Sequence, residues 1–108
     1  MINELIMTTL KPLNMPVEPI QYSGSANTYI VFVEYLQQGE DFSEDEEEST
    51  GHYIQINLYT KGSNITLIAQ IKALLKVVGF KRITEYDTYE SDTFFYNHVF
   101  RFFLSEEI

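Results

Sequence analysis

The chain has 108 residues, 16 acidic against 7 basic side chains, no Cys and no Trp, and 16 aromatics made of eight Tyr and eight Phe. That length fits one domain of roughly 100–150 residues, and 44% apolar content excludes a disordered chain. The lack of Cys excludes a disulfide framework, a thiol nucleophile and a thiolate metal site.

The first element is a short amphipathic helix over residues 2–10, where Ile2, Leu5, Ile6, Thr9 and Leu10 fall at helical spacing and Lys11-Pro12 closes the segment. Pro12, Pro16 and Pro19 predict an extended connector. Ile20-Gln21-Tyr22 then reads as a short strand, placed at a sheet edge by the prolines before it. Ser23 to Asn27 is turn chemistry. Thr28 to Leu36 is rich in β-branched and aromatic residues and predicts a strong strand. Both of its faces are apolar, which points to a central strand or to a face reserved for a partner.

Gln37 to Thr50 is polar, nearly free of apolar residues, and reads as a mobile acidic loop. Seven of the 16 acids (Glu40, Asp41, Glu44, Asp45, Glu46, Glu47 and Glu48) lie there, so the rest of the chain is nearly neutral. Gly51 to Thr60 resumes as a strand, with His52, Ile54, Ile56 and Leu58 alternating against Tyr53, Gln55, Asn57 and Tyr59. The first set faces a core. The second is the kind of aromatic, amide-bearing surface that meets a protein partner.

Ser63 or Asn64 supplies an N-cap for a helix over Ile65 to Val78, with the stripe Leu67/Ile68, Ile71, Leu74/Leu75 and Val78 and with Lys72 and Lys76 toward solvent. Gly79 followed by Phe80 predicts a left-handed helix end with its apolar contact. Lys81 to Glu90 and Thr93 to Leu104 form a hairpin about Ser91-Asp92. The expected architecture is α+β in the order α-β-β-β-α-β-β. A mostly antiparallel five-stranded sheet carries two helices on one face, all in a single domain over 1–108.

Sites for chemistry are sparse. An EF-hand loop starting at Asp41 would put Glu46 where the sharp turn needs Gly and His52 where the last ligand should be Glu, so the pattern fails. His52 and His98 lie within strands on otherwise apolar faces and read as satisfied core or interface residues. Glu85 and Asp87 share a strand face and read as solvated acids. No Ser sits in a nucleophile elbow, and no phosphate loop is present. No catalytic, cofactor or metal residue is therefore assigned, and no enzymatic activity is expected. The longest uninterrupted apolar run, Tyr29 to Val33, is far short of the ~18 residues of a membrane span. The start of the chain has no cationic segment, so no signal peptide is expected. An acidic balance gives nucleic-acid phosphates little to grip.

Aromatic density is the positive signal. Nine of the 24 residues from Phe80 to Phe103 are Phe or Tyr, more than one small core can hide. Tyr29, Tyr35, Tyr53, Tyr59, Phe95 and Phe103 are the candidate interface, and apolar residues on both faces of two strands point to an oligomer. Four of the seven cations, Lys72, Lys76, Lys81 and Arg82, cluster as a candidate partner patch for the acidic run of a neighbour.

The Pro-flanked strand, TYIVFVEY, the polar loop, GHYIQINLYTKG, the helix ending in VGF and the hairpin ending in HVFRF together resemble one family of phage proteins. These are the tail-terminator or tail-completion (tail-to-head joining) proteins of long-tailed phages and prophages, and the resemblance spans nearly the whole chain. It implies a virion structural subunit, made in the host cytoplasm, that assembles as a hexameric ring at the head-proximal end of the tail. Its partners would be the tail tube and the head connector, with DNA only as passing cargo and no membrane or cofactor. The acidic run is longer than the family implies, and its belt would face either the channel or a neighbouring subunit. A rival reading is an acidic interaction module such as a DNA-mimic inhibitor.

Overall fold

A computed structural model describes residues 2–40 and 49–107. In chain order the elements are α1 (Ile2–Leu10), a 3-10 turn (Lys11–Leu13), β1 (Val17–Pro19), β2 (Thr28–Glu40), β3 (Ser49–Thr60), α2 (Ile65–Val77), β4 (Lys81–Glu90) and β5 (Phe95–Glu107). The sheet order is β1-β2-β3-β5-β4. Only β1 and β2 run parallel, and the other three pairings are antiparallel. The α+β class and the order of elements are those the sequence predicts.

Alternation decides which side chains meet the helices. Ile30 and Phe32 of β2, Ile54, Ile56 and Leu58 of β3, and Phe100 and Phe102 of β5 form the floor of the core. Ile6 and Leu10 of α1 and Ile71 and Leu75 of α2 close it from above, all four with no exposed surface. Each such side chain stabilises the fold by about 1.5–3 kcal/mol relative to leaving it in water. Both helices lie on this one face.

The end of α2 follows from backbone bonding. The Gly79 amide donates to the Lys76 carbonyl at 3.0 Å, and the Phe80 amide donates to the Leu75 carbonyl at 3.1 Å. Gly79 sits at φ 104°, the left-handed region that this pair of bonds requires. Phe80 then turns inward and packs edge-on against Phe102, with centroids 6.3 Å apart. Asn64 holds the N-cap position without a side-chain capping bond. Val78 is the C-cap residue and half-exposed, so the buried stripe stops at Leu75.

Three boundaries depart from the sequence reading. The edge strand is Val17–Pro19, three residues earlier than expected, because Ile20 takes φ 71°. Its neighbour Gln21 donates back to the Pro19 carbonyl at 2.8 Å, a γ-turn that ends the strand. Gln37–Glu40 and Ser49–Thr50 are not loop but a continuation of the β2–β3 ladder, paired Gln37 with His52 through to Glu40 with Ser49. Polar residues extend here because β5 runs to Glu107 beside Ser49 and Thr50 and continues the backbone pairing of β3, on which Gln37–Glu40 then pairs. The Glu40 carboxylate also accepts bonds from Ser49 Oγ at 3.3 Å and Ser105 Oγ at 2.7 Å. The remainder of the acidic run, from Asp41 to Glu48, lies outside the described residues. Finally, Thr93 and Phe94 belong to the turn and not to β5. Phe94 adopts φ 63°, and its amide bonds the Glu90 carbonyl at 2.8 Å.

Candidate interaction surface

The face of the sheet opposite the helices is built by the other alternation. Tyr29 stands across from Tyr59, Val31 from Asn57 and Val33 from Gln55. Tyr53 stands across from Phe103, Gln55 from Arg101 and Asn57 from Val99. All six aromatic residues proposed as interface fall on this face, and they divide into two groups.

At one end, Tyr29 stacks on Tyr59 with centroids 4.8 Å apart, and Phe95 meets both edge-on at 5.5 and 6.1 Å. Tyr22 folds back from the loop before β2 onto Tyr29, at 4.4 Å. The Lys61 ammonium lies 4.1 Å from the centre of the Phe95 ring. Burial, then the neighbouring Tyr59 and Glu90, push the Tyr29 hydroxyl above its ordinary pKa.

At the other end, Tyr53 lies between Phe103 at 5.0 Å and Tyr35 at 6.2 Å, and the Arg101 guanidinium sits 5.3 Å from the Tyr35 ring centre. Gly51 makes room here. A Cβ on it would come within 2.9 Å of the Phe103 ring and 3.1 Å of the Glu40 carboxylate. Between the groups runs a polar chain. Arg101 Nε donates to Gln55 Oε1 at 3.2 Å, and Gln55 Nε2 donates to Asn57 Oδ1 at 3.2 Å. Asn97 Oδ1 is buried with no hydrogen-bond partner among the described residues. The surface is thus two aromatic platforms bridged by amides, a mix that can bury apolar area while keeping polar register marks. The sequence reading did not include Tyr22, Lys61 or Arg101. The signal available for Arg101 was a lone cation alternating with Phe103 in an otherwise apolar strand.

Both histidines lie on the helix side, each clamped by two carboxylates. His52 Nδ1 donates to Glu34 at 2.5 Å and Nε2 to Glu106 at 3.0 Å. Burial pulls the His52 pKa down, but the bonds to Glu34 and Glu106 outweigh it, and the group sits above its ordinary 6.5. The His98 ring is held between Asp87 at 2.5 Å and Glu85 at 2.9 Å.

Glu85 is also the hub of the basic patch. Lys72 reaches it at 3.1 Å and Arg82 at 2.7 Å. Burial acts to raise its pKa, but Arg82, His98 and Lys72 bring it down to about 2. Glu85 is therefore not a solvated strand acid, and Lys72 is not free toward solvent: the two tie α2 to β4. Lys76, Lys81 and the same Lys72 and Arg82 rim a cavity of about 410 Å³ floored by Phe80 and Phe102. Thus the structure gathers all four predicted cations in one place. No group of three or more acidic or His side chains among the described residues is arranged to hold a metal ion. No helix among them is long and apolar enough to cross a membrane.

These elements define an α+β fold with one helix-covered face and, among the described residues, one open, aromatic face. No family model and no curated protein matches the chain. Among solved structures, it is similar to a chain of the "Virion of native gene transfer agent (GTA) particle". The two share 15% sequence identity and a TM-score of 0.62, over 93% of this chain and 84% of that one. At that identity the likeness establishes a shared fold.

Proposed function

We propose that this protein is a structural subunit of a phage or phage-like virion, acting as the tail terminator that caps the tail tube as a ring and joins it to the head connector. The observation that carries the reading is the fold likeness to a chain of a gene transfer agent particle, extending over 93% of the protein. The open face supports it. Tyr29, Tyr35, Tyr53, Tyr59, Phe95 and Phe103 gather there on the face of the sheet that no helix covers among the described residues, as a subunit with assembly partners requires. The DNA-mimic alternative needs carboxylates spread over a face, whereas this one presents rings, amides, Lys61 and Arg101.

In this role the protein works by shape and contact and not by catalysis. Its partners are copies of itself, the tube subunit below and the connector above. Deleting its gene and imaging the particles by negative-stain electron microscopy tests the reading. Overlong tubes, or tubes separated from full heads, are the expected result. Tails of normal length joined normally to heads would reject it.

A further inference from the structure

We infer that one copy of the chain joins the next edge to edge, with the start of β4 adding as a strand to the bare outer edge of β2. The inference deepens the ring reading above and rests on it for the presence of a second copy.

The two outer edges of the sheet are unequal. β1 covers β2 only opposite Ile30 to Phe32, so Val33 to Glu40 has no outer neighbour among the described residues. At the other end of the sheet, β4 pairs only with β5 along Lys81 to Glu90. Natural edges are usually blunted, and β1 is, by Pro16 and Pro19. The two bare edges carry no proline. They carry apolar side chains instead: Val33, Tyr35 and Leu36 on β2 and Ile83 on β4 are 39–49% exposed. Each edge also bears a bulge at that place, between Glu34 and Leu36 and between Arg82 and Thr84, which bends both strands and keeps any added pairing short.

Direction and height both fit. From β2 through β3 and β5 to β4 there are three antiparallel steps, so β2 and β4 of one chain run opposite ways. A copy rotated about an axis along the strands keeps its strand directions, and its β2 meets this β4 antiparallel. Following the register across the sheet, Lys81 stands level with Phe103, Tyr53 and Leu36, and Thr84 stands level with Arg101, Gln55 and Val33. Without axial shift, Lys81–Thr84 therefore faces Val33–Leu36 of the second copy. The rest of β4 faces the stretch that β1 already occupies, which limits the joint to this segment.

Charge is compatible with a second copy as the occupant. β4 opens with Lys81 and Arg82 beside Lys76, and among the described residues no carboxylate pairs with Lys76 or Lys81. The bare stretch of β2 carries no cation, and its two acids, Glu34 and Glu40, are already bonded to His52 and to Ser49 and Ser105, so they offer the cations a negative field and not new ion pairs. Because the joining edges differ, the contact is heterologous and repeats from copy to copy around a closed ring.

The chain has no Cys, so single cysteines report the joint cleanly. Leu36→Cys and Ile83→Cys are purified as full chains, mixed at high concentration and treated with a short bis-maleimide. The joint predicts covalent dimers in the mixture and few in either variant alone. Equal dimer yields from each variant by itself, or none in the mixture, would overturn it. Adding Lys81→Glu to the Ile83→Cys chain should lower the mixed yield about fivefold, and Gln37→Lys on the Leu36→Cys partner should restore it. Cross-linking the same variants inside purified particles separates the two readings. Protein present in particles without a 36–83 link rejects the joint alone. Protein absent from particles that are otherwise whole rejects the virion role, while the solution cross-link still decides the joint.

Discussion

Gly79 shows how one residue can fix a boundary. Its left-handed φ lets two amides close the last turn of α2, and a Cβ there would reach Leu104 only at an ordinary 3.4 Å. Space is not the obstacle, so Gly79→Ala isolates the backbone term and should cost about 1 kcal/mol in a urea titration, with an unchanged m-value. The titrating residues set opposite pH limits. His52 is held above 6.5, so its contribution is complete below that value and is lost as pH rises through the folded pKa. Glu85 is held at about 2, so its contribution is present above 4.5 and is lost as pH falls toward 2. Stability measured against pH should therefore decline on both sides. Glu34→Gln should flatten the alkaline decline. Glu85→Gln should cost about 1–2 kcal/mol at neutral pH, since solvent screens its half-exposed partner Lys72 and its exposed partner Arg82, and almost nothing near pH 2. An acid limb identical in wild type and Glu85→Gln would show that the hub does not govern it.

Among the elements, β4 stands apart. Every residue in it is exposed except Glu85, and it is held by one strand neighbour and the Lys72–Glu85 tie to α2. β3 is paired on both sides over its full length, and its helix-facing residues are buried. Local opening free energy tracks this difference. Native-state hydrogen exchange should show β4 amides opening first and the central amides of β3, about Ile54 to Leu58, opening with global unfolding. Equal protection across the two strands would contradict that order.

At the scale of the whole molecule, the last strand in sequence is not the last in space. β5 lies between β3 and β4, so β3 waits through α2 and β4 before its second neighbour arrives. Such long-range pairing carries a loop-closure cost and slows folding. It also makes the sheet depend on its last strand. A chain ending at Glu90 would lack the Phe100 and Phe102 floor and leave both β3 and β4 without their shared partner. It should show no cooperative thermal transition by circular dichroism and should aggregate. A two-state melt from that fragment would mean that β5 is an accessory strand.

Features that depend on neighbours a few residues away were legible in the chain alone. Helical spacing in residues 2–10 and 65–78 placed both helices, period-two alternation from His52 to Tyr59 assigned its faces, and Gly79-Phe80 marked the helix end. That six aromatics share one face was legible for the same reason, because alternation alone puts Tyr53 and Tyr59 or Phe95 and Phe103 on one side. The tertiary structure decided everything that depends on which strand lies beside which. The polar stretch Gln37–Glu40 is strand because β3, itself backed by β5 on its other side, extends alongside it, a fact no local propensity contains. The shift of the edge strand to Val17–Pro19 rests on an isoleucine in a γ-turn, a conformation its side chain disfavours and its tertiary bonding imposes. Lys72, Arg82 and His98 meet at Glu85, with Asp87 on the other side of the His98 ring, because α2 packs back across the β4–β5 hairpin that follows it, a docking that no local spacing specifies. Backbone periodicity is written locally, but pairing partners are chosen by burial and hydrogen-bond satisfaction across the whole chain, and only the folded molecule resolves that choice.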